Sequence, residues 1–229
     1  MSWISTRGGK VRFFLGGAVY WWGDTGAMAV PNNRIAIRYS GFNCFGKSDG
    51  PGDDEPYFTF GVIAPDFKAE PPPQTRIYEN VSEGTNVPDS LELFRGAPVG
   101  IAIDVTLIEH DNGDPIKYRS VVERAVNEAA PRVTEALTLV PAAGQVLSIG
   151  ARVALEAFLG DIVDALNSLL GTGDDLLGRD LIPLTPKQMI VLATQTPVHD
   201  LGGVPFRLQT RLLDGDGSSY KACFDLAPA

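Results

Sequence analysis

Alternation of hydrophobic and polar residues runs through most of the chain and predicts β-strands. In the segment 33–40, Ile35, Ile37 and Tyr39 fall on one face and two arginines fall on the other. This period of two residues is typical of a half-buried strand. The same period recurs at 57–64, 101–109, 205–213 and 220–226, with weaker cases at 75–81, 90–95 and 181–184. Because glycine, proline and aspartate join these segments, the pattern predicts a mainly β protein with an antiparallel β-sandwich.

The period becomes helical in one block of the chain. Apolar residues spaced three and four apart form one stripe over Val121–Val140 and a second over Leu147–Leu169. A Pro- and Gly-containing turn separates the two stripes. The block therefore predicts an antiparallel α-helical hairpin, inserted at about residues 115–172. Pro131 is expected to kink or divide the first helix.

The first 31 residues differ from the rest and predict an N-terminal aromatic hairpin or arm before a sandwich over residues 32–229. The apolar run 13–22 follows three basic residues but lacks a small-residue cleavage site, so we expect a β-hairpin and no Sec-type signal peptide. Trp21 and Trp22 are candidate partner-binding residues, while the other interpretation is extra strands that close a sheet edge.

Composition and charge narrow the possible partners. The chain has 229 residues and a formal net charge of −9. This acidity disfavours unaided binding to nucleic acid or to an anionic membrane. We expect no transmembrane helix, because no uninterrupted apolar segment is long enough. A cytoplasmic location and export without a cleavable signal stay open. Cys44 and Cys223 have no CxxC spacing, and a disulfide and two buried thiols are both possible.

Acidic residues collect in two stretches that each follow a predicted strand. The first contains Asp49, Asp53, Asp54 and Glu55, and the second contains Glu109, Asp111 and Asp114 and continues after the helical block with Asp174 and Asp175. Clustered carboxylates repel one another. A hard divalent ion with oxygen ligands converts that repulsion into binding, so the pattern indicates a metal site.

The segment from Gly41 to Ser48 also fits the spacing of a phosphate-binding P-loop. A P-loop needs a helix that begins at the Lys-Ser pair, so that free amides face the phosphates. Here the Lys-Ser pair is followed by Asp49-Gly-Pro-Gly-Asp-Asp54, and a helix cannot begin in this segment. We therefore reject the P-loop interpretation.

Several motifs resemble the C2 domains, the calcium- and phospholipid-binding β-sandwiches of signalling and membrane-trafficking proteins. Phe45-Gly-Lys-Ser48, followed after an insertion by Asp54-Glu-Pro-Tyr57, is similar to the first calcium loop of that family. Glu109-His-Asp111 and Asp175-Leu-Leu-Gly178 are similar to two parts of its third loop, although the helical block separates them. The resemblance implies a C2-like fold and Ca²⁺ ligands at Asn43, Asp49, Asp54, Glu55, Glu109, Asp111 and Asp175.

The predicted function is a non-enzymatic, calcium-binding C2-like module for calcium-dependent recognition of a membrane or a protein. No catalytic residue is assigned, because His110 and His199 each adjoin an aspartate, and a His-Asp dipeptide by itself is common in loops. Two alternatives stay open. One is a structural or assembly subunit stiffened by calcium, with oligomerisation through residues 1–31. The other is a membrane-active, pore-forming protein that uses the helical hairpin.

Overall fold

A computed structural model describes residues 4–6, 8–65, 67–68, 71–111, 113–138 and 174–229. The elements in these residues are β1 (Ile4–Thr6), β2 (Gly9–Phe14), β3 (Gly17–Trp22), β4 (Gly26–Pro31), β5 (Ile35–Gly46), β6 (Pro56–Ala64), β7 (Phe67–Lys68), β8 (Asn86–Gly96), β9 (Ile101–Glu109), α1 (Pro115–Thr138), β10 (Asp175–Leu184), α2 (Pro186–Thr194), β11 (His199–Leu201), β12 (Val204–Phe206), β13 (Leu208–Gln209), β14 (Leu213–Gly215) and β15 (Ser218–Pro228). The predicted mainly β class with antiparallel sheets is confirmed.

Two of the sheets supply most of the core. One has the order β13-β15-β5-β8, with β14 also paired to β15, and the other has the order β10-β9-β6-β7. Their aromatic side chains meet: the ring centroid of Tyr39 lies 5.3 Å from that of Phe58 and 5.1 Å from that of Phe60. All three side chains are fully buried. The two sheets therefore share one hydrophobic core, and its burial is the main source of stability.

The N-terminal strands form a third sheet in the sequential order β1-β2-β3-β4. The predicted hairpin is its centre, with a turn at Leu15-Gly16 between β2 and β3. Val11, Tyr20 and Trp22 are buried in the same core cluster as the other two sheets. The Tyr20 hydroxyl donates a 2.7 Å hydrogen bond to Asn33 Oδ1, just before β5. This sheet consequently packs beside the end of β5 at which Ile35 lies.

Helix α1 packs on the face of β6 and β9 that points away from the shared core. Its buried stripe includes Val122, Val126 and Val133 and contacts Tyr57 and Ile108. The helix continues through Pro131 as one element, so Pro131 does not divide it. The predicted second helix of the hairpin lies outside the described residues. No helix in the described ranges is long and apolar enough to cross a bilayer.

Some elements differ from those that hydrophobic periodicity predicts. The periodicity did not predict helix α2, although its first turn carries a capping box. The Gln188 amide donates to Thr185 Oγ1 at 3.2 Å, and the Thr185 amide donates to Gln188 Oε1 at 2.8 Å. The weak strand predicted at 75–81 was wrong: apart from a single bridge at Val81, its residues have no strand assignment. The segment 205–213 is divided among β12, β13 and β14, because its first part pairs with β11 and only two short later parts pair with β15.

Candidate metal site at the acidic pole

Strand directions bring distant acidic residues to one end of the molecule. At this end β5 finishes, β6 begins, β9 finishes, and β10, β14 and β15 meet. In the strand register Glu109 lies between Asp175 of β10 and Pro56 of β6. We call this end the acidic pole and define it by Asp49, Asp54, Glu109, Asp111, Asp174, Asp175 and Asp216.

Asp54 lies inside the pole and is saturated with hydrogen bonds. Its side chain is only 1% exposed. The carboxylate accepts hydrogen bonds from the Ser48 amide at 3.0 and 3.1 Å, from Ser48 Oγ at 2.8 Å and from the Tyr220 hydroxyl. The backbone of Asp54 also exchanges two 2.9 Å hydrogen bonds with Val81. Asp54 therefore ties the loop after β5 to β15 and to the segment around Val81.

Asp174 has the same role for the segment after β9. It is fully buried, and its carboxylate accepts hydrogen bonds from the amides of Asp111 at 3.0 Å and Gly113 at 2.6 Å and from the Tyr57 hydroxyl at 3.4 Å. The His110 Nδ1 atom lies 3.6 Å from the same carboxylate. Burial, together with the negative charge of Asp174, raises the pKa of Tyr57 well above its ordinary value. We call Asp54 and Asp174 the inner carboxylates.

Of the five other carboxylates of the pole, four are linked by charge interactions, namely Glu109, Asp111, Asp175 and Asp216, and we call these the outer carboxylates. Burial raises the pKa of Glu109 to about 7, and the charges of Asp54, Asp111 and Asp175 add to this shift while Ser48 opposes it. Burial also raises the pKa of Asp175, and the charges of Asp216, Asp111 and Asp174 contribute. Carboxylates from three separate segments are thus close enough to resist one another's ionisation.

Asp216 belongs to the pole although the sequence-based ligand set omitted it. It lies in the turn between β14 and β15 with a backbone φ of 49°. Its carbonyl oxygen accepts a 3.0 Å hydrogen bond from the amide of Asp49. A Cβ atom on Gly217 would lie 2.5 Å from the Asp49 carboxyl carbon, so Asp49 packs directly on this turn. The acidic turn Asp214-Gly-Asp-Gly217 was the available sequence signal.

Asn43 is not brought to the carboxylates. Its side chain donates to Asn86 Oδ1 and accepts a 3.3 Å hydrogen bond from the Cys223 thiol. The reason is a β-bulge near Gly41, where the register of β5 shifts against both neighbouring strands. A shift of one residue exchanges the two faces of a strand. Phe42 and Cys44 therefore face the core, and Asn43 faces away from it.

Glu55 and the inserted loop lie at the edge of the pole. The Glu55 carbonyl oxygen accepts a 3.1 Å hydrogen bond from the His110 amide, while its side chain is exposed. Lys47 Nζ donates to the carbonyl oxygens of Gly50 at 3.0 Å and Gly52 at 2.5 Å. The lysine thus closes the loop on itself, and no helix follows it, in agreement with the rejected P-loop.

The two candidate partner-binding tryptophans have different environments. Trp22 is 5% exposed, belongs to the core and stacks on Tyr20 at a centroid distance of 5.9 Å. Trp21 is 39% exposed, and Lys10 Nζ lies 5.5 Å from its ring centroid. Of this pair, Trp21 is the one available at the surface.

The acidic pole supplies carboxylate oxygen atoms from several separate segments of the chain. Among the described residues, no group of three or more His, Cys, Asp or Glu side chains is arranged to hold a metal ion. The inner carboxylates are occupied by protein donors. The outer carboxylates offer the hard oxygen ligands that calcium takes, so they are the residues that fit the ion chemically.

Comparison of the chain with protein-family models, with curated proteins and with solved structures gave no match. The C2 resemblance therefore depends on the sequence motifs alone. Both cysteines are free and buried in the structure, with Cys223 near Asn43 and Gln209.

Proposed function

We propose that the acidic pole binds calcium, and that the protein is a non-enzymatic module that recognises a membrane surface or a protein partner when calcium is bound. The observation that supports this most is the raised pKa of Glu109 and of Asp175, which results from burial and from several neighbouring negative charges. Such repulsion raises the free energy of the folded protein, and a divalent cation is the ligand that relieves it.

The division into inner and outer carboxylates suggests how the site works. Asp54 and Asp174 fix the backbone of two loops and take no part in ligation. Asp111, Asp175 and Asp216 are exposed and turn toward a common ion, while Glu109 contributes from the end of β9. Because calcium accepts six to eight oxygens in flexible geometry, waters or carbonyl oxygens complete the shell. The outer carboxylates have to move to surround the ion. The free energy of this movement opposes binding, so the affinity is weak.

We infer that the two large sheets form a C2-like β-sandwich and that α1 begins its helical insertion. Three features support this inference: the shared core, the antiparallel order of the strands, and the position of α1 between β9 and β10, which are hydrogen-bonded neighbours. A chain that leaves and re-enters between adjacent strands tolerates an insertion without a change of sheet order.

Calorimetric titration of calcium into metal-free protein tests the ion site. We expect heat of binding in the wild type and its loss in Asp111→Asn and Asp175→Asn, because each substitution removes a ligand charge but keeps the side-chain shape. Asp24→Asn is the matched control. It removes the charge of Asp24, which lies outside the pole and whose Oδ2 atom is 2.6 Å from Lys187 Nζ. Equal binding in all four proteins contradicts the proposed site.

Vesicle sedimentation and sizing with and without calcium test the recognition role. A calcium-induced increase in sedimentation with anionic vesicles, or calcium-dependent capture of a protein partner, supports it. Calcium-dependent oligomers without either favour the assembly subunit. The pore-forming alternative requires leakage of dye from loaded vesicles, for which the buried stripe of α1, including Val122 and Val126, would have to leave β6 and β9.

A further inference from the structure

The turn between β2 and β3 presents three consecutive apolar side chains to solvent. Phe13 is 46% exposed, Phe14 is 48% exposed and Leu15 is 108% exposed. We call Phe13–Gly16 the hairpin tip. Folding normally leaves single apolar residues at the surface, whereas an uninterrupted exposed group is typical of a contact with a partner or a membrane. The tip therefore presents a small convex apolar surface to solvent.

The backbone of the hairpin tip is already paired. Phe13 pairs with Ala18 and Phe14 with Gly17 in the antiparallel register of β2 and β3. The Gly16 carbonyl oxygen accepts a 2.8 Å hydrogen bond from the amide of Asn32. An unpaired amide or carbonyl group costs several kcal/mol in hydrocarbon, and this pairing avoids that cost at the paired positions.

Basic and aromatic side chains follow the hairpin tip along β2 and β3, with Arg12 nearest the tip and the Lys10–Trp21 pair farthest from it. The Arg12 guanidinium lies 5.4 Å from the ring centroid of Phe14, and Lys10 Nζ lies 5.5 Å from that of Trp21. These two cations lie on β2 in a chain whose net charge is −9. Asp24, at the other end of the β3–β4 hairpin, is paired with Lys187. The hairpin therefore carries a local positive charge that the overall composition conceals.

We propose that the hairpin tip inserts into the interface of an anionic lipid bilayer, and that this contact does not need calcium. Phe14 and Leu15 enter the acyl boundary, while Lys10, Arg12 and Trp21 lie at the level of the headgroups. Aromatic rings and long basic side chains are the residues that favour this level. A protein partner fits less well, because a stable interface buries about 800 Å² on each side and the tip presents three side chains.

The lipid contact is separate from the proposed calcium site. The third sheet adjoins the Ile35 end of β5, and the acidic pole lies beyond its Gly46 end. Strand β5 has 12 residues, and at about 3.3 Å per residue its ends are roughly 35 Å apart. A flat bilayer under the hairpin tip therefore does not contact the acidic pole, and either site can exist without the other.

Flotation with phosphatidylcholine vesicles, with and without phosphatidylserine, tests the proposal in EDTA. We expect the wild type to float with the phosphatidylserine vesicles only, and Phe14→Ser/Leu15→Ser to lower the bound fraction by about tenfold or more. Lys10→Ala/Arg12→Ala should lower it by a smaller factor and weaken the dependence on phosphatidylserine. Val198→Ser is the matched control, since Val198 is 82% exposed outside the hairpin.

Fluorescence quenching by lipids with a quencher in the headgroup gives an independent measurement, because Trp21 pairs with Lys10 at the level proposed for the headgroups and should be quenched on binding. Thermal melts establish that each variant is folded. Absence of flotation in EDTA overturns the proposal, as does equal flotation of the wild type and the tip variant. Binding to polyglutamate without binding to vesicles also overturns it and identifies an anionic protein surface instead. Loss of calcium binding in Asp111→Asn should leave flotation in EDTA unchanged.

Discussion

Asp54 and Asp111 carry the same chemical group at the same end of the molecule, but their surroundings are opposite. Asp54 is buried and accepts hydrogen bonds from a backbone amide and two hydroxyl groups. Asp111 is exposed and faces other carboxylates, as its effect on Glu109 and Asp175 indicates. The inner carboxylates are stabilised by fixed donors, whereas the outer carboxylates are destabilised by one another.

This difference indicates which acidic residues organise the pole and which are free to bind an ion. A buried carboxylate with several donors cannot leave them without cost. An exposed carboxylate among like charges gains from a cation. The ligand set predicted from the sequence motifs contains both inner and outer carboxylates, and the structure distinguishes the two.

The largest expected effect is on stability, from Asp174→Ala. This substitution leaves the amides of Asp111 and Gly113 and the Tyr57 hydroxyl without their acceptor, so we expect the free energy of unfolding to fall by about 3 kcal/mol. Urea denaturation measures it. Asp175→Ala, the adjacent outer carboxylate, should change stability by less than about 0.5 kcal/mol. Equal destabilisation by the two substitutions would remove the distinction between inner and outer carboxylates.

Calcium should stabilise the folded protein through the outer carboxylates. At a calcium concentration of 100 times the dissociation constant, the free energy of unfolding should rise by about 2.7 kcal/mol. Denaturation in calcium and in EDTA measures the difference. We expect Asp111→Asn/Asp216→Asn to abolish it. If Asp216→Asn alone leaves the full effect, the turn between β14 and β15 is not part of the site.

Removal of a single donor to an inner carboxylate should have an intermediate effect. Tyr220→Phe deletes the hydroxyl that donates to Asp54, and a hydrogen bond to a charged group contributes about 2 kcal/mol. Tyr20→Phe is the control, because its hydroxyl donates to the neutral side chain of Asn33 and should cost about 1 kcal/mol. Chemical denaturation of both variants decides whether the charged acceptor matters.

The smallest expected effect is a pH dependence from Glu109. Its folded pKa of about 7 is above the ordinary value of 4.5, so the folded state binds the proton more tightly than the unfolded state. The contribution of Glu109 to stability is therefore present at low pH and is lost as the pH rises from about 4.5 to 7. Solvent screening of this partly exposed group keeps the change small.

Denaturation across this pH range in EDTA measures the slope. Glu109→Gln should reduce it, because the neutral amide does not titrate, and saturating calcium should reduce it in the wild type. A wild-type stability that rises with pH through the same window would contradict the assignment.

Hydrophobic periodicity was sufficient to predict the strands and the helix whose patterns are strong. The strands at Ile35, Pro56 and Ile101 and the helix from Pro115 follow from the alternation and the helical stripe. Periodicity failed for α2, a nine-residue helix whose clearest signal is its capping box. It also could not divide the segment 205–213, because strand length there depends on pairing with β11 and β15.

The candidate site was predictable as a set of loops but not residue by residue. The loop after β5, the end of β9 and the start of β10 do meet at one pole. The orientation of Asn43 could not be predicted from the sequence, because the bulge near Gly41 reverses the faces of β5. Asp216 was not included, because its closeness to Asp49 and Asp175 results from the pairing of β15 with β5.

The sequence by itself determined where the strongly patterned strands and α1 form and where acidic residues are dense, because these depend on local hydrophobic period and composition. Only the tertiary structure decided the role of each carboxylate and which apolar residues remain exposed. Burial and the supply of hydrogen-bond donors are properties of packed neighbours. They make Asp54 part of the framework and leave Asp111 facing like charges, although in the sequence the two are the same residue.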